Sequence, residues 1–255
     1  MSSSGPDVMR VVVITDRHLM AAQFGSVANA LAACTRIPPH TWLLVRDKDA
    51  SDADRQAIGA AALAAHAGWS GRLWHGAALN AATWPRTHHW DGSHWPQAEP
   101  LPPPNAAHQR WGCSRHDVDG VWAAALARAS YVQFGPVWAT PSKAGMGAPL
   151  GLGAVTAARG ALDRAHRAER GDQAAAPALS AAHARSHKPR PPTQLIAIGG
   201  IDGPQRAEDA CAAGANGVAV IRAIWAAPDP NAALAALHRG VTAGLGRYAL
   251  QHALF

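Results

Sequence analysis

Cysteine is scarce in this chain, with 3 residues in 255. Cys34, Cys113 and Cys211 are widely separated and form no C-x-x-C pair, so the sequence indicates neither a disulfide framework nor a zinc site. We expect them to be small buried side chains. A G-x-G-x-x-G motif at the start of a first helix is also lacking, which argues against a dinucleotide-binding fold.

Long apolar runs are absent as well. Although 48% of the residues are hydrophobic, no uninterrupted apolar stretch approaches the ~20 residues that a membrane-spanning helix needs. Residues 1–7 lack the basic flank and the apolar core of a signal peptide. We therefore expect a cytoplasmic protein that does not associate with membranes.

Clustered positive charge is sparse, although the formal net charge is +6. Arginine and lysine are scattered, with one loose group between residues 164 and 190. An anionic small substrate or solubility explains such a charge as well as nucleic acid does. We expect a small-molecule ligand and no nucleic-acid partner.

Short apolar runs alternate with helical patterns along the chain, as is typical of a parallel α/β sheet. The predicted strands lie at 11–16, 41–45, 72–74, 109–113, 130–135, 194–198 and 217–220, with an eighth granted near Trp90. The predicted helices cover 19–34, 51–68, 118–129, 153–168, 204–213, 221–226 and a segment from 231. Eight such units in about 250 residues favour a (β/α)8 TIM barrel forming a single domain over 1–255.

Two segments depart from this alternation. Residues 83–104 are rich in Trp, His and Pro, and we expect a solvated loop there, because His88 and His94 lack a clear metal-ligand spacing. Residues 169–192 show no strand pattern and are predicted to be a flexible insertion.

In a barrel of this type the functional loops follow the carboxyl ends of the strands. This rule brings together one set of charged, imidazole and glycine residues: Asp16, Arg46, Lys48, His75, His116, Lys143, Gly199 and Gly200. The Gly-Gly pair before a helix is typical of phosphate binding, although a plain tight turn has the same pattern. Thr140, Ser142 and Lys143 suit an anion, or an ordinary solvated loop.

Several motifs in one order resemble the thiamine phosphate synthase/TenI family. The segments 134–143, 197–201 and 214–221 carry the resemblance, and Ile14-Thr15-Asp16, Arg46-Asp47-Lys48 and Cys113-Ser114-Arg115-His116 precede them in the expected order. The resemblance covers nearly the whole chain, is weakest at 83–104 and is absent from 169–192.

This resemblance implies two alternative activities. The synthase joins hydroxymethylpyrimidine diphosphate to a thiazole phosphate with Mg²⁺ and releases pyrophosphate, whereas the TenI-like branch tautomerises a carboxythiazole phosphate. The synthase pattern has Asn-Asp where this chain has His75-Gly76, and Gln at Leu44. Neither glycine nor imidazole replaces a carboxylate on magnesium, and only Glu99 offers a substitute for a second ligand. We therefore expect no metal, unless the synthase alternative holds.

The sequence favours the tautomerase, with His116 as acid and base, because imidazole exchanges protons near neutral pH. His116 matches the histidine of a Ser-x-His motif in TenI-like enzymes; a solvent-facing or helix-capping residue beside Asp117 is the plain alternative. His75 is a second acid/base candidate. The resemblance implies that the substrate phosphate lies on Gly199, Gly200, Val220 and Ile221, with Arg222 adding a contact.

Under the same hypothesis Arg46, Lys48, Thr140, Ser142 and Lys143 orient the anionic groups of the substrate. The chain has Gly76 where the synthase pattern has an aspartate that binds magnesium. The loss of this carboxylate motivates a third possibility, a barrel that binds a thiamine precursor without turnover. The sequence leaves the oligomeric state open and is compatible with a homodimer.

Overall fold

Eight short and mostly buried stretches form parallel strands that close into one barrel in sequence order. The computed structural model describes residues 8–65, 68–75, 90–101, 110–140, 147–170 and 191–253. The strands are β1 Val11–Ile14, β2 Thr41–Val45, β3 Gly71–His75, β4 Gly92–Trp95, β5 Arg110–Arg115, β6 Tyr131–Phe134, β7 Gln194–Ile198 and β8 Gly217–Val220. The predicted (β/α)8 barrel is confirmed, whereas the single domain over 1–255 stays a prediction.

Helices surround the barrel and cover its outer face. They are α1 Arg17–Phe24, α2 Val27–Ala33, α3 Asp52–Ala65, α4 Val118–Leu126, α5 Gly151–Glu169, α6 Pro204–Ala212, α7 Arg222–Trp225 and α8 Pro230–His252. Among the described residues, no helix is long and apolar enough to cross a membrane.

The first predicted helix is in fact two helices. Gly25 ends α1 in the left-handed region, at φ 79°, where glycine is favoured. Ser26 then begins α2, because its side chain accepts a hydrogen bond from the Asn29 amide at 3.0 Å. Two turn signals side by side thus interrupt a run whose alanine-rich composition alone predicts one helix.

The eighth strand granted near Trp90 is confirmed, so the expectation of a solvated loop over 83–104 is wrong for part of that segment. Gly92–Trp95 is β4, which pairs with β3 on one side and with β5 on the other. His94 is 1% exposed and lies opposite His75 in the strand register. The polar composition of this strand concealed a buried position. Residues 76–89, with His88, and residues 102–109 lie outside the described part.

The structure describes only the two ends of the segment 169–192, so the flexible insertion there stays a prediction. Helix α5 continues through Glu169, and Thr193 after it is buried, with its hydroxyl donating to the Ala129 carbonyl at 2.6 Å. Residues 171–190, which make up most of the predicted insertion, lie outside the described part of the chain.

The core consists of two shells. One lies between the strands and the helices, and the other fills the barrel interior; the second contains Met9, Val12, Ile14, Trp42, Leu44, Leu73, Tyr131, Ile196 and Ala219. Large rings inside the barrel face glycines on the adjacent strand. Trp42 is level with Gly71, and Tyr131 is level with Gly112. A Cβ atom on either glycine would collide with the facing ring.

We expect Gly71→Ala to lower the free energy of unfolding by about 1–3 kcal/mol, because the added methyl group overpacks the barrel against Trp42. Gly246→Ala is the matched control. Gly246 lies on the exposed side of α8 with no atom within 4 Å of an added Cβ, so alanine there should stabilise the helix by up to about 1 kcal/mol. Urea unfolding measures both changes; equal stability of the two variants would contradict this packing.

A histidine at the amino end of the barrel predicts sensitivity to acid. Nε2 of His238 lies 2.8 Å from the Thr41 hydroxyl, and burial, followed by the nearby His40 and Arg10, lowers the pKa of His238 to about 4. The unfolded chain, with a histidine pKa near 6.5, binds this proton more readily than the folded one, so stability falls as the pH drops below about 6.5. We expect His238→Gln to reduce the stability lost between pH 7.5 and pH 5 by about 1 kcal/mol. Urea unfolding at both pH values gives the slope; an unchanged slope would contradict the lowered pKa.

Candidate active site

The parallel strands bring most of the predicted site residues to one rim of the barrel. These residues follow or end different strands: Arg46, Lys48, His75, Glu99, His116, Thr140, Gly199, Gly200, Val220, Ile221 and Arg222. Ser142 and Lys143 of the same prediction, together with Gly76, lie outside the described residues.

A buried carboxylate, which the sequence did not single out, fixes the loops after β1 and β2. Asp47 is 6% exposed; it accepts hydrogen bonds from the Thr15 hydroxyl and, at 2.6 Å, from the Arg17 amide. Thr15 in turn accepts the Arg46 amide at 3.0 Å. The backbone that carries Arg46 is therefore held by a network of its own, and the Asp47 carboxylate is engaged within it.

Positive charge is concentrated beside His75 at the end of β3. Burial lowers the pKa of His75 to about 3, and nearby cations add to the shift. These cations are Lys48, Arg46 and Arg55, in decreasing order of effect. Burial also lowers the pKa of the Arg46 guanidinium. Because His75 is uncharged near neutral pH, it can donate one hydrogen bond and accept another but carries no positive charge.

The guanidinium of Arg46 lacks a close counterion within the described ranges. None of the ion pairs formed there includes Arg46, although Asp16 and Asp47 lie near enough to act on its pKa. A half-buried cation without a direct carboxylate partner is suited to an anionic ligand.

A second imidazole, that of His94, is more deeply buried than His75. The sequence did not indicate it as a site residue. Its Nδ1 lies 2.9 Å from the Tyr131 hydroxyl and its Nε2 lies 2.8 Å from the Ser114 hydroxyl, while the His75 ring stacks on it at 5.8 Å. Burial, with the neighbouring positive charges, lowers the pKa of His94 well below the ordinary range, whereas burial raises that of Tyr131. Both groups are therefore neutral.

His116 is held in one tautomer by the loop after β6. Its Nδ1 is bonded to the Gly135 carbonyl, which can only accept, so Nδ1 carries the proton and Nε2 keeps its lone pair. Its backbone amide donates to Gln97 at 3.1 Å. Asp117 is the residue that caps α4, since its carboxylate accepts the Gly120 amide at 2.6 Å. His116 is thus not the helix cap and has an imidazole nitrogen able to accept a proton.

The Gly199-Gly200 pair has a structural cause that the sequence did not reveal. Both residues have positive φ, 98° and 69°, and a Cβ atom on either would collide with the loop after β6, at Pro136 or at Trp138. The Trp138 amide donates to the Gly199 carbonyl at 3.1 Å, and Arg206 donates to the Gly200 carbonyl at 2.6 Å. These glycines allow two loops to approach each other, whether or not a ligand binds there.

Helix α7 follows β8 directly and is fixed by a tryptophan. The Trp225 indole donates to the Ile14 carbonyl at 2.8 Å, so α7 is held against the end of β1. Ile221 precedes the helix as its N-cap residue, and Arg222 at its start is exposed to solvent. The four residues of α7 give it only a small dipole for binding an anion.

The described residues do not form a metal site from protein side chains alone. They contain no group of three or more His, Cys, Asp or Glu side chains that could hold a metal ion. Glu99 is described, but His75 occupies the end of β3, and magnesium prefers oxygen ligands. This donor set does not suit a metal held by the protein.

Comparison with known proteins is consistent with this arrangement. Residues 11–168 match a family model described as thiamine monophosphate synthase. A thiamine-phosphate synthase from Mycobacterium tuberculosis (strain ATCC 25177 / H37Ra) is 39% identical over 133 residues, which are 52% of this chain and 46% of that protein. A putative thiamine-phosphate synthase from Geobacter sulfurreducens is 37% identical over 120 residues, 47% of this chain and 42% of that protein. The match therefore spans about half the length of these curated relatives.

A solved structure extends the likeness over the whole fold. Thiamine phosphate pyrophosphorylase from Pyrococcus furiosus superimposes with a TM-score of 0.61 at 20% identity, covering 93% of this chain and 98% of that one. At this identity the superposition establishes the fold alone, whereas the family model matches more than half of the sequence. The chain belongs to the thiamine phosphate synthase/TenI family.

Proposed function

We propose that this chain is a thiamine phosphate synthase, which joins hydroxymethylpyrimidine diphosphate to a thiazole phosphate and releases pyrophosphate. The sequence favoured a tautomerase, but the relatives are named as synthases and support the alternative. The structural observation that carries the proposal is the group of cations beside His75, because a diphosphate carries the complementary negative charge.

The roles of the side chains follow from this charge distribution. Arg46 and Lys48 bind the diphosphate and stabilise the negative charge that develops on it as the bond to the pyrimidine methylene carbon breaks. The thiazole nitrogen forms the new bond to that carbon. Neutral His75 contributes a hydrogen bond and no charge. The thiazole phosphate is assigned to Gly199, Gly200 and Ile221 on the family resemblance.

Magnesium is the element of the synthase reaction that these residues support least. The described residues contain no group of three or more metal-ligating side chains, so we assign no step to a metal bound by the protein. Lys48 and Arg46 instead offer the diphosphate permanent positive charge at the rim.

The tautomerase is the second candidate function, and the geometry of His116 favours it. The Gly135 carbonyl holds the proton on Nδ1, which leaves Nε2 as a base able to take a proton from a carbon atom and return it elsewhere. His116 is half-buried at the same rim as Arg46. A non-aromatic carboxythiazole phosphate would be its substrate.

A paired assay with both substrate sets tests the proposal. We expect release of pyrophosphate when the purified chain is given the pyrimidine diphosphate and the thiazole phosphate, and no acceleration of thiazole tautomerisation. Each assay is run with added Mg²⁺ and with a chelator. Tautomerisation without pyrophosphate release would replace the synthase with the second candidate. Binding of thiazole phosphate in calorimetry without either turnover would leave a non-catalytic binding protein.

His116→Asn separates the two candidate reactions. The asparagine amide can still donate to the Gly135 carbonyl but cannot take up a proton, so a tautomerase would lose about 10²–10⁴-fold in rate. As a synthase, the chain should keep its kcat within a few-fold. His238→Gln, at the opposite end of the barrel, is the matched control for loss of a histidine. A large loss of pyrophosphate release in His116→Asn alone would contradict the roles assigned above.

A further inference from the structure

One buried amide inside the barrel lacks a hydrogen-bond partner. Gln133 is the third residue of β6 and is 2% exposed. Its Nε2 has no hydrogen-bond partner within the described part of the chain. The adjacent Val132 and Phe134 belong to the core between strands and helices. Because side chains alternate along a strand, Gln133 points into the barrel.

The surroundings of Gln133 are polar on one side and apolar on the other. It is level with Ser114 on β5 and with Ile196 on β7. Ser114 is bonded to His94, which is bonded to Tyr131. Across the barrel, on β2, Leu44 presents only hydrocarbon to the interior. Gln133, Ser114 and His94 therefore form a small polar cluster inside the barrel, here called the floor. The unpartnered amide belongs to this cluster.

This floor lies directly below the rim. His116 follows Ser114 by two residues, directly after the end of β5, and Gly135 follows Gln133 by two residues, directly after the end of β6. Inward-facing positions two residues apart on a strand lie one layer apart. The Gly135 carbonyl and His116, which are bonded to each other, thus lie one layer above Gln133 and Ser114.

Charge separates the rim from the floor. The cations Arg46, Lys48 and Arg55 lie beside His75, whereas the side chains of Gln133 and Ser114 are neutral, and His94 is held neutral by burial. A ligand that satisfies both layers has an anionic end and an uncharged ring with a hydrogen-bond acceptor. An unsatisfied buried donor costs free energy in the ligand-free protein, and such a ring would provide its partner.

We propose that Gln133 determines ring specificity: its Nε2 donates a hydrogen bond to a ring nitrogen of the pyrimidine diphosphate when the ring enters the barrel above Ser114. This inference rests on the proposed function for the identity of the ring. Ser114 adds a second contact to the same ring. The Ser114 hydroxyl lies 2.8 Å from Nε2 of His94, and a hydroxyl can both donate and accept, so it can bond the imidazole and the ligand together.

Calorimetry with two diphosphates tests the role of Gln133. The probes are hydroxymethylpyrimidine diphosphate and a benzyl diphosphate that keeps the amino and methyl substituents of the pyrimidine, so that carbon replaces only the ring nitrogens. We expect the wild-type chain to bind the pyrimidine compound at least tenfold more tightly. Gln133→Met should weaken pyrimidine binding about tenfold and leave benzyl binding unchanged or tighter, because only the pyrimidine hydrogen bond is lost.

Thermal unfolding of the ligand-free protein supplies an independent measurement. Gln133→Met removes an unpartnered amide and should keep or raise Tm. Gln194→Met is the matched control, since the side-chain Oε1 of Gln194 accepts a hydrogen bond from the Met9 amide at 2.8 Å at the other end of the barrel. The control should lower Tm and leave the preference for the pyrimidine intact.

The outcomes distinguish this inference from the proposed function. Loss of the preference in Gln133→Met supports the inference, and it does so even where the paired assay detects no pyrophosphate release. An unchanged preference in Gln133→Met, a wild-type chain that binds the two diphosphates equally or not at all, or a fall in Tm as large as in Gln194→Met overturns it. Pyrophosphate release together with an unchanged preference would overturn the inference alone.

Discussion

Closure of the parallel sheet is the constraint on which the rest of this structure depends. Strand β8 pairs with β1, with Val220 level with Val13, so the hydrogen-bond ladder has no free edge and all eight strands end at one rim. Residues separated by most of the chain, such as Arg46 and Gly199, thereby reach the same mouth. A closed ladder also has an interior of fixed size, so each large ring inside it requires a small residue opposite.

The way this interior is filled determines where a site can form. Trp42 and Tyr131 occupy space that Gly71 and Gly112 leave open, and aliphatic side chains complete the lower part. Above them the filling becomes polar, beginning with His94. Most buried polar groups in proteins have a hydrogen-bond partner, and His94 has two hydroxyl groups as partners. Nε2 of Gln133 has no hydrogen-bond partner within the described residues. His94 is therefore a supporting group, whereas the Gln133 amide is available to a ligand.

The fold could be predicted from sequence because its signals are local. Buried parallel strands such as Val11–Ile14 form continuous apolar runs, and helices between them show their own spacing. Arg46, His75 and His116 could be placed at the rim by the same alternation. His94 could not, since a four-residue strand with the sequence Gly-Ser-His-Trp has the composition of a loop. Gln133 lay within a predicted strand, but its inward direction depends on a register that only the closed barrel fixes.

The roles of Asp47 and the glycine pair escaped prediction for a related reason. Asp47 lies between two cations in the sequence, and only the approach of Thr15 turns its carboxylate inward. The sequence left open whether Gly199 and Gly200 serve a bound phosphate or a tight turn, and the structure shows that the loop after β6 requires both of them. Their presence is therefore weak evidence for phosphate binding. The argument for an anionic substrate rests instead on residues at the other side of the barrel mouth. There, burial and nearby positive charge keep His75 neutral, and Arg46 is in none of the ion pairs formed within the described residues.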